Sequence, residues 1–201
     1  MPYAAILFLF FAAQAPATAT FDGLPVTTAS ADQLAQHLRD QGAIDYVEPP
    51  PRQAGASGSS VPRPNSPEMD EAMIGIFRTP FSTLLRPPRH MPNIREIEIA
   101  YCPADGSIAG ISVGYSSTLT TVEEFNAIVS ELTRIHGRPT YTGDFGQGNV
   151  ASWSFPDDTG VDLIRPYYGD GIAYPFQALY VGRHEAVVCN IRSARTLSAH
   201  Q

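Results

Sequence analysis

The residues able to do chemistry in this chain are few and scattered. Asp158-Thr159-Gly160 spells the triplet of aspartic proteases, in which two carboxylates share one proton. It occurs once, after Pro156-Asp157, so only a homodimer would supply the second carboxylate. Asp and Gly are also what a hairpin turn requires, and a turn is the expectation. His37, His90, His136, His184 and His200 stand singly along the chain. His37 has no second histidine four residues on to complete a helical metal site, and it is expected to face solvent. No Gly-x-Ser-x-Gly elbow, His-Glu-x-x-His, Cys-x-x-Cys or Walker loop is present. The run Gly143 to Gly148 is rich in glycine but leads into a strand, so no helix dipole meets a phosphate there. All thirteen cationic side chains are Arg, which excludes a Schiff-base or lysine-base mechanism. The sequence thus predicts no catalytic residue, no metal ligand and no cofactor.

Binding chemistry is better represented. Arg78, Arg86, Arg89 and Arg95 follow one another with His90 and without an intervening acid, and Pro80, Pro87, Pro88 and Pro92 keep the stretch extended. Guanidinium forks match carboxylate and phosphate, so this reads as a cationic arm for an acidic partner. The competing reading is a solvated loop whose arginines pair with the protein's own acids. Tyr167, Tyr168 and Tyr174 surround Gly169-Asp170-Gly171, a loop whose rings would stack on a sugar or a peptide. A formal net charge of −7 argues against a nucleic-acid partner, because phosphate binding needs cations over most of a face.

These groups need a scaffold, and the stretch from Arg95 to Phe155 carries the clearest one. Ile97, Ile99 and Tyr101 alternate with polar residues, Asp105-Gly106 supplies a turn, and Ile111, Val113 and Tyr115 repeat the alternation. A hairpin with one apolar face follows. Thr120 or Thr121, with an acid three residues on, then caps a helix to His136, which Gly137 and Pro139 end. Its predicted inward stripe is Val122, Phe125, Ile128, Val129, Leu132 and Ile135. After a loop from Thr140 to Gly148, Val150 to Phe155, Val161 to Arg165, Gln177 to Val181 and Ala186 to Ile191 read as strands. Cys102 and Cys189 fall in two of these strand regions and are predicted to form a disulfide.

Upstream, Ala4 to Ala13 is an uninterrupted apolar run, followed by the small-x-small site Ala17-Thr18-Ala19. The run falls short of the roughly 20 residues of a bilayer span, so a cleaved export signal near Ala19 is predicted and no membrane span thereafter. Residues 20–47 form an N-terminal helical segment capped by Ser30 with Gln33 and stopped at Gly42. Residues 48–67 are dominated by Pro, Gly and Ser and read as a flexible linker. Residues 68–201 make the αβ domain.

Thr121-Val122-Glu123-Glu124-Phe125, His136-Gly137-Arg138-Pro139 and Ala151-Ser152-Trp153-Ser154-Phe155 resemble the helix, the Gly-x-Pro exit and the aromatic strand of SmpA/BamE-type envelope proteins and of secreted β-lactamase-inhibitor-like domains. The resemblance implies a small αβ scaffold that binds other proteins. It covers under a fifth of the chain, and this sequence lacks the lipidation cysteine of the former family.

The expected architecture is an α+β domain: an antiparallel sheet of about five strands with one main amphipathic helix on one face. The expected function is that of a periplasmic or secreted, non-catalytic binding protein. Its partner is expected to be another protein or an anionic envelope component. The rival expectation is a cell-envelope hydrolase whose acid and base come from distant parts of the chain.

Overall fold

A computed structural model of the protein describes residues 16–47, 81–144, 148–166 and 176–181. The chain enters through a two-stranded hairpin, β1 (Thr20–Phe21) and β2 (Leu24–Pro25), and passes into helix α1 (Ala31–Asp40). The next strands are β3 (Ile44–Asp45), β4 (Ser82–Arg86), β5 (Ile94–Tyr101) and β6 (Ile108–Tyr115). Helix α2 (Val122–His136) leads to β7 (Tyr141–Asp144), β8 (Gly148–Ser154), β9 (Gly160–Pro166) and β10 (Gln177–Val181).

Strands β3 to β10 make one eight-stranded sheet in the order β3-β4-β5-β6-β10-β9-β8-β7, with antiparallel neighbours throughout. The expectation of about five strands and one helix is therefore corrected. Among the described residues the protein is mostly β, with an eight-stranded sheet, a separate two-stranded one and two helices. The strands missed are those with the least local signal. β3 and β7 are edges, where one flank has no neighbour to pack and alternation is weak. β4 lies between Pro80 and Pro87, inside the stretch read as an extended arm.

Alternation divides the sheet into two faces. Leu85, Ile97, Val113, Ala178, Leu163 and Ala151 are directly opposed across six strands, and Ile99, Ile111, Tyr180, Val161 and Trp153 form the adjacent row. All but Tyr180, at 6%, are at most 2% exposed. This face joins one apolar cluster with Phe21, with Leu34 and Leu38 of α1, and with Phe125, Ile128 and Leu132 of α2. Both helices and the small hairpin thus cover the same side. Fully burying a leucine contributes about 1.5–3 kcal/mol, so the docking of α1 through Leu34 and Leu38 is substantial.

Each helix starts where its capping box puts it. Ser30 accepts from the Gln33 amide while the Gln33 side chain takes the Ser30 N–H, and Thr121 with Glu124 does the same for α2. The stripe of α2 is rotated from the predicted one: Val122 and Ile135 are exposed, and His136 is buried in their place. The two ends of the helix fix this phase. At its start, Arg165 donates from Nε and Nη2 to the Thr120 carbonyl, and from Nη1 to Asn149. At its end, Trp153 Nε1 donates 2.8 Å to the Gly137 carbonyl.

Candidate functional site

The most concentrated polar chemistry among the described residues lies where the small hairpin meets α1. Asp22 and Gly23 form the hairpin tip, both with left-handed backbone (φ 49° and 81°), a conformation that Asp and Gly tolerate in tight turns. This turn aims the Asp22 side chain at α1. His37 and Gln41 stand four residues apart, hence on one side of the helix, and both reach it. His37 Nε2 is 3.0 Å from Asp22 Oδ2 and 3.2 Å from the Asp22 carbonyl oxygen. The Gln41 amide is 2.6 Å from Asp22 Oδ2 and 2.7 Å from His37 Nε2. His90, in the connection between β4 and β5, brings its Nε2 to 4.0 Å from Asp22 Oδ1. The Asp22, His37 and His90 side chains are 20%, 36% and 51% exposed, so the cluster is open to solutes. Among the described residues, no group of three or more His, Cys, Asp or Glu side chains could hold a metal ion.

Sequence reasoning passed over this cluster because its members come from three separate segments. His37 is partly buried against the hairpin and bonded, not simply solvated as expected. The one local clue was the His37/Gln41 spacing, which places both on one side of the helix.

Three of the predicted binding residues, Arg86, Arg89 and Arg95, are among the described residues. Arg86 lies on β4 with its guanidinium carbon 5.5 Å from the centre of the Tyr46 ring, a cation–π arrangement. Arg89 is exposed in the following turn. Arg95 turns onto the sheet's other face, 8% exposed, and pairs with Glu96 at 2.6 Å. Gly114 makes room for that pair: a Cβ there would lie 2.8 Å from both Arg95 Nη2 and Glu96 Oε1. Arg78, Tyr167, Tyr168, Tyr174 and Cys189 lie outside the described residues. Cys102 is buried just after β5. Asp158-Thr159-Gly160 forms the turn between β8 and β9, with Asp158 at φ 63° and Thr159 donating to Asp157.

A second titratable group sits where a core residue was expected. His136 is 3% exposed, its ring lies 5.7–6.3 Å from the rings of Trp153, Phe155 and Tyr180, and neither nitrogen has a hydrogen-bond partner. Burial penalises the charged form and pushes its pKa down to about 4. Burial also raises the Tyr115 and Tyr180 phenols well above their ordinary range, helped by the Glu131 carboxylate.

No helix among the described residues is long and apolar enough to cross a membrane. Comparison of the chain with models of protein families, with curated proteins and with solved structures finds no match. The local likeness of α2 and β8 to envelope assembly factors and inhibitor domains therefore assigns no family.

Proposed function

We propose that the chain is an exported, non-catalytic binding protein whose partner is another protein. The observation that carries this reading is the one-sided build of the sheet. Both described helices and the small hairpin lie on one face. The opposite face carries the cross-strand row Leu84, Glu98, Ser112, Leu179, Asp162, Ser152 and Tyr141, flanked by Gln177, Ile164 and Val150, with Leu84 buried at its β4 end and the residues from Glu98 to Tyr141 partly exposed. Leu179, Ile164, Val150 and Val181 are half-buried there, interleaved with acids and hydroxyls. Eight strands spaced by about 4.8 Å and averaging just under six residues span roughly 34 Å by 19 Å, or about 650 Å². That is at the lower end of one partner's share of a standard protein–protein interface, whereas small-molecule sites are concave. The Asp22–His37 pair supports a hydrolase less well: it is open to solvent, and no described Ser, Thr or Cys bonds to either member.

Export rests on the apolar N-terminal run, and the contacts of Ala19 favour a cut ahead of Thr18. Ala19 is fully buried, its N–H donates to Thr159 Oγ1 at 2.9 Å, and its carbonyl accepts from Val26 N–H. Cleavage ahead of Thr18 keeps these bonds, whereas cleavage after Ala19 would remove them. Amino-terminal sequencing of the exported protein checks this, with a mature chain starting at Thr20 as the contrary result. A Cys102–Cys189 disulfide is proposed on the same compartment argument, and the described residues include no free cysteine.

The binding role is tested by placing a photo-crosslinking residue at Leu179 or Ile164, and as a comparison at Asn126 on the solvent side of α2. After irradiation in the native envelope, the first two positions yield one discrete protein adduct and Asn126 does not. Adducts equally abundant from all three positions, or none from any, refute the reading.

A further inference from the structure

The turn between β8 and β9 holds a carboxylate beside the point where the chain enters the fold. Thr159 donates to Asp157 Oδ1 twice, from its amide at 3.2 Å and from its hydroxyl at 2.6 Å. The same hydroxyl accepts from the Ala19 N–H at 2.9 Å, so two hydrogen bonds in series join Asp157 to the start of the fold. Both Thr159 bonds end on Oδ1, and a carboxylate has lone pairs for further donors on Oδ2. Burial raises the Asp157 pKa, but the Thr159 and Thr18 hydroxyls, with the Thr159 amide, outweigh it and hold the group below the ordinary carboxylate range. Thr18 thus turns its hydroxyl toward an ionised acid. The next residue of the turn, Asp158, is also an acid. At the nearby end of α2, where Pro16 lies beside Gly137, His136 is buried as a neutral ring and Arg138 is exposed.

Ala15-Pro16-Ala17 has the same small-x-small pattern for export cleavage as Ala17-Thr18-Ala19, and the buried bonds of Ala19 favour the first. Hydrolysis of the Ala17–Thr18 peptide bond consumes one water. It leaves a carboxylate on Ala17 and turns the Thr18 nitrogen into an amine that holds a proton at neutral pH. We propose that Asp157 is the binding site for this new α-ammonium, so that export processing itself completes an ion pair clasping the start of the chain to the β8–β9 turn. The ammonium stands one peptide unit from the Ala19 N–H, whose bond to Thr159 already holds this segment against the turn. An unprocessed chain has an uncharged amide at the same nitrogen and lacks the pair. Thr18 and Asp157 are both half-buried, which weakens screening by salt, and the chain contains no lysine to compete as a primary ammonium. The clasp rests on the proposed cut ahead of Thr18 and is independent of the sheet face proposed to hold a protein partner.

The test uses the exported chain. Amino-terminal sequencing gives Thr18 as its first residue, and any other start overturns the cut site and the clasp together. Without lysine, acetic anhydride labels the Thr18 amine as the single primary amine. The midpoint of labelling rate against pH lies above the usual α-amino range of about 7.7–8.0. Labelling at pH 8 is about fivefold slower than in an unstructured peptide of the same sequence, as when a carboxylate makes an ammonium about tenfold harder to deprotonate. Asp157→Asn returns the midpoint to that of the peptide. Acetylation lowers the melting temperature of the wild type by about 1–3 °C at pH 7 and leaves Asp157→Asn unchanged. A raised amine pKa stabilises fully below the unfolded value, so the effect of acetylation fades as the pH rises through the raised midpoint. Should Asp157→Asn fail to fold, the midpoint in the unmutated protein decides. A midpoint in the ordinary range, a raised midpoint that Asp157→Asn does not move, or wild-type melting at pH 7 indifferent to acetylation overturns the clasp while leaving the cut site standing.

Discussion

Replacing His136 by leucine should remove most of one component of this protein's acid sensitivity. The ring is enclosed by Trp153, Phe155 and Tyr180, and neither nitrogen has a partner, so the side chain is buried as a neutral group. In the folded state its pKa falls from 6.5 to about 4. A depressed histidine pKa means that the unfolded chain binds the proton more readily. Stability from this group is therefore complete above about pH 6.5, is lost progressively as the pH falls toward 4, and changes no further below that. The span of about 2.5 pH units, at about 1.4 kcal/mol each, amounts to about 3 kcal/mol between pH 7 and pH 4. Leucine has a similar volume and loses no hydrogen bond, so His136→Leu should match or exceed the wild-type stability at pH 7. Urea unfolding at a series of pH values, followed by the fluorescence of the single tryptophan, Trp153, measures both proteins. Carboxylates titrate in both, so the difference between the two curves isolates the histidine. The wild type should lose about 3 kcal/mol more than the variant on going from pH 7 to pH 4. Parallel curves would refute the reasoning, since a histidine solvated or hydrogen-bonded in the fold gives no such difference.

Arg165→Met removes three hydrogen bonds and leaves the Thr120 carbonyl without its guanidinium donors, and it should cost about 1.5–3 kcal/mol in chemical denaturation. Hydrogen exchange should show the first turn of α2 losing protection, and uniform loss along the helix would contradict a clamp at that end. Gly114→Ala drives a methyl into the Arg95–Glu96 pair on the outer face and should destabilise by about 1–3 kcal/mol; an unchanged melting temperature would show that the pair gives way freely. Reducing the protein should cost about 4–5 kcal/mol if Cys102 and Cys189 are joined, by the loop-closure entropy of the unfolded chain. Thiol labelling of the denatured, non-reduced protein checks the premise, and two reactive thiols there would dismiss it.

The elements legible in the sequence are those whose signals lie within a few residues. Thr121 and Glu124 announce the start of α2, Ser30 and Gln33 that of α1, and the alternation of Ile97, Ile99, Ile111 and Val113 marks the central hairpin, because caps and pleats are local interactions. Asp158-Thr159-Gly160 was readable as a turn for the same reason. Strand pairing is not local. β3 and β7 add to the sheet only because β4 and β8 offer unsatisfied edges, and nothing in Ile44–Asp45 or Tyr141–Asp144 encodes that.

The candidate site belongs wholly to the second category. His37 looked like a solitary surface residue because its partner Asp22, which His90 also approaches, is brought to it by the docking of a hairpin. His136 stood singly in the sequence, and the predicted stripe of α2 included Val122 and Ile135, which are exposed. The clamp from Arg165 and Trp153 sets the roll of α2, and that roll buries the imidazole. Sequence determined where chain segments would fold locally; which side chains meet across the core, and so which of them titrate abnormally, was decided by the packing of segments far apart in the chain.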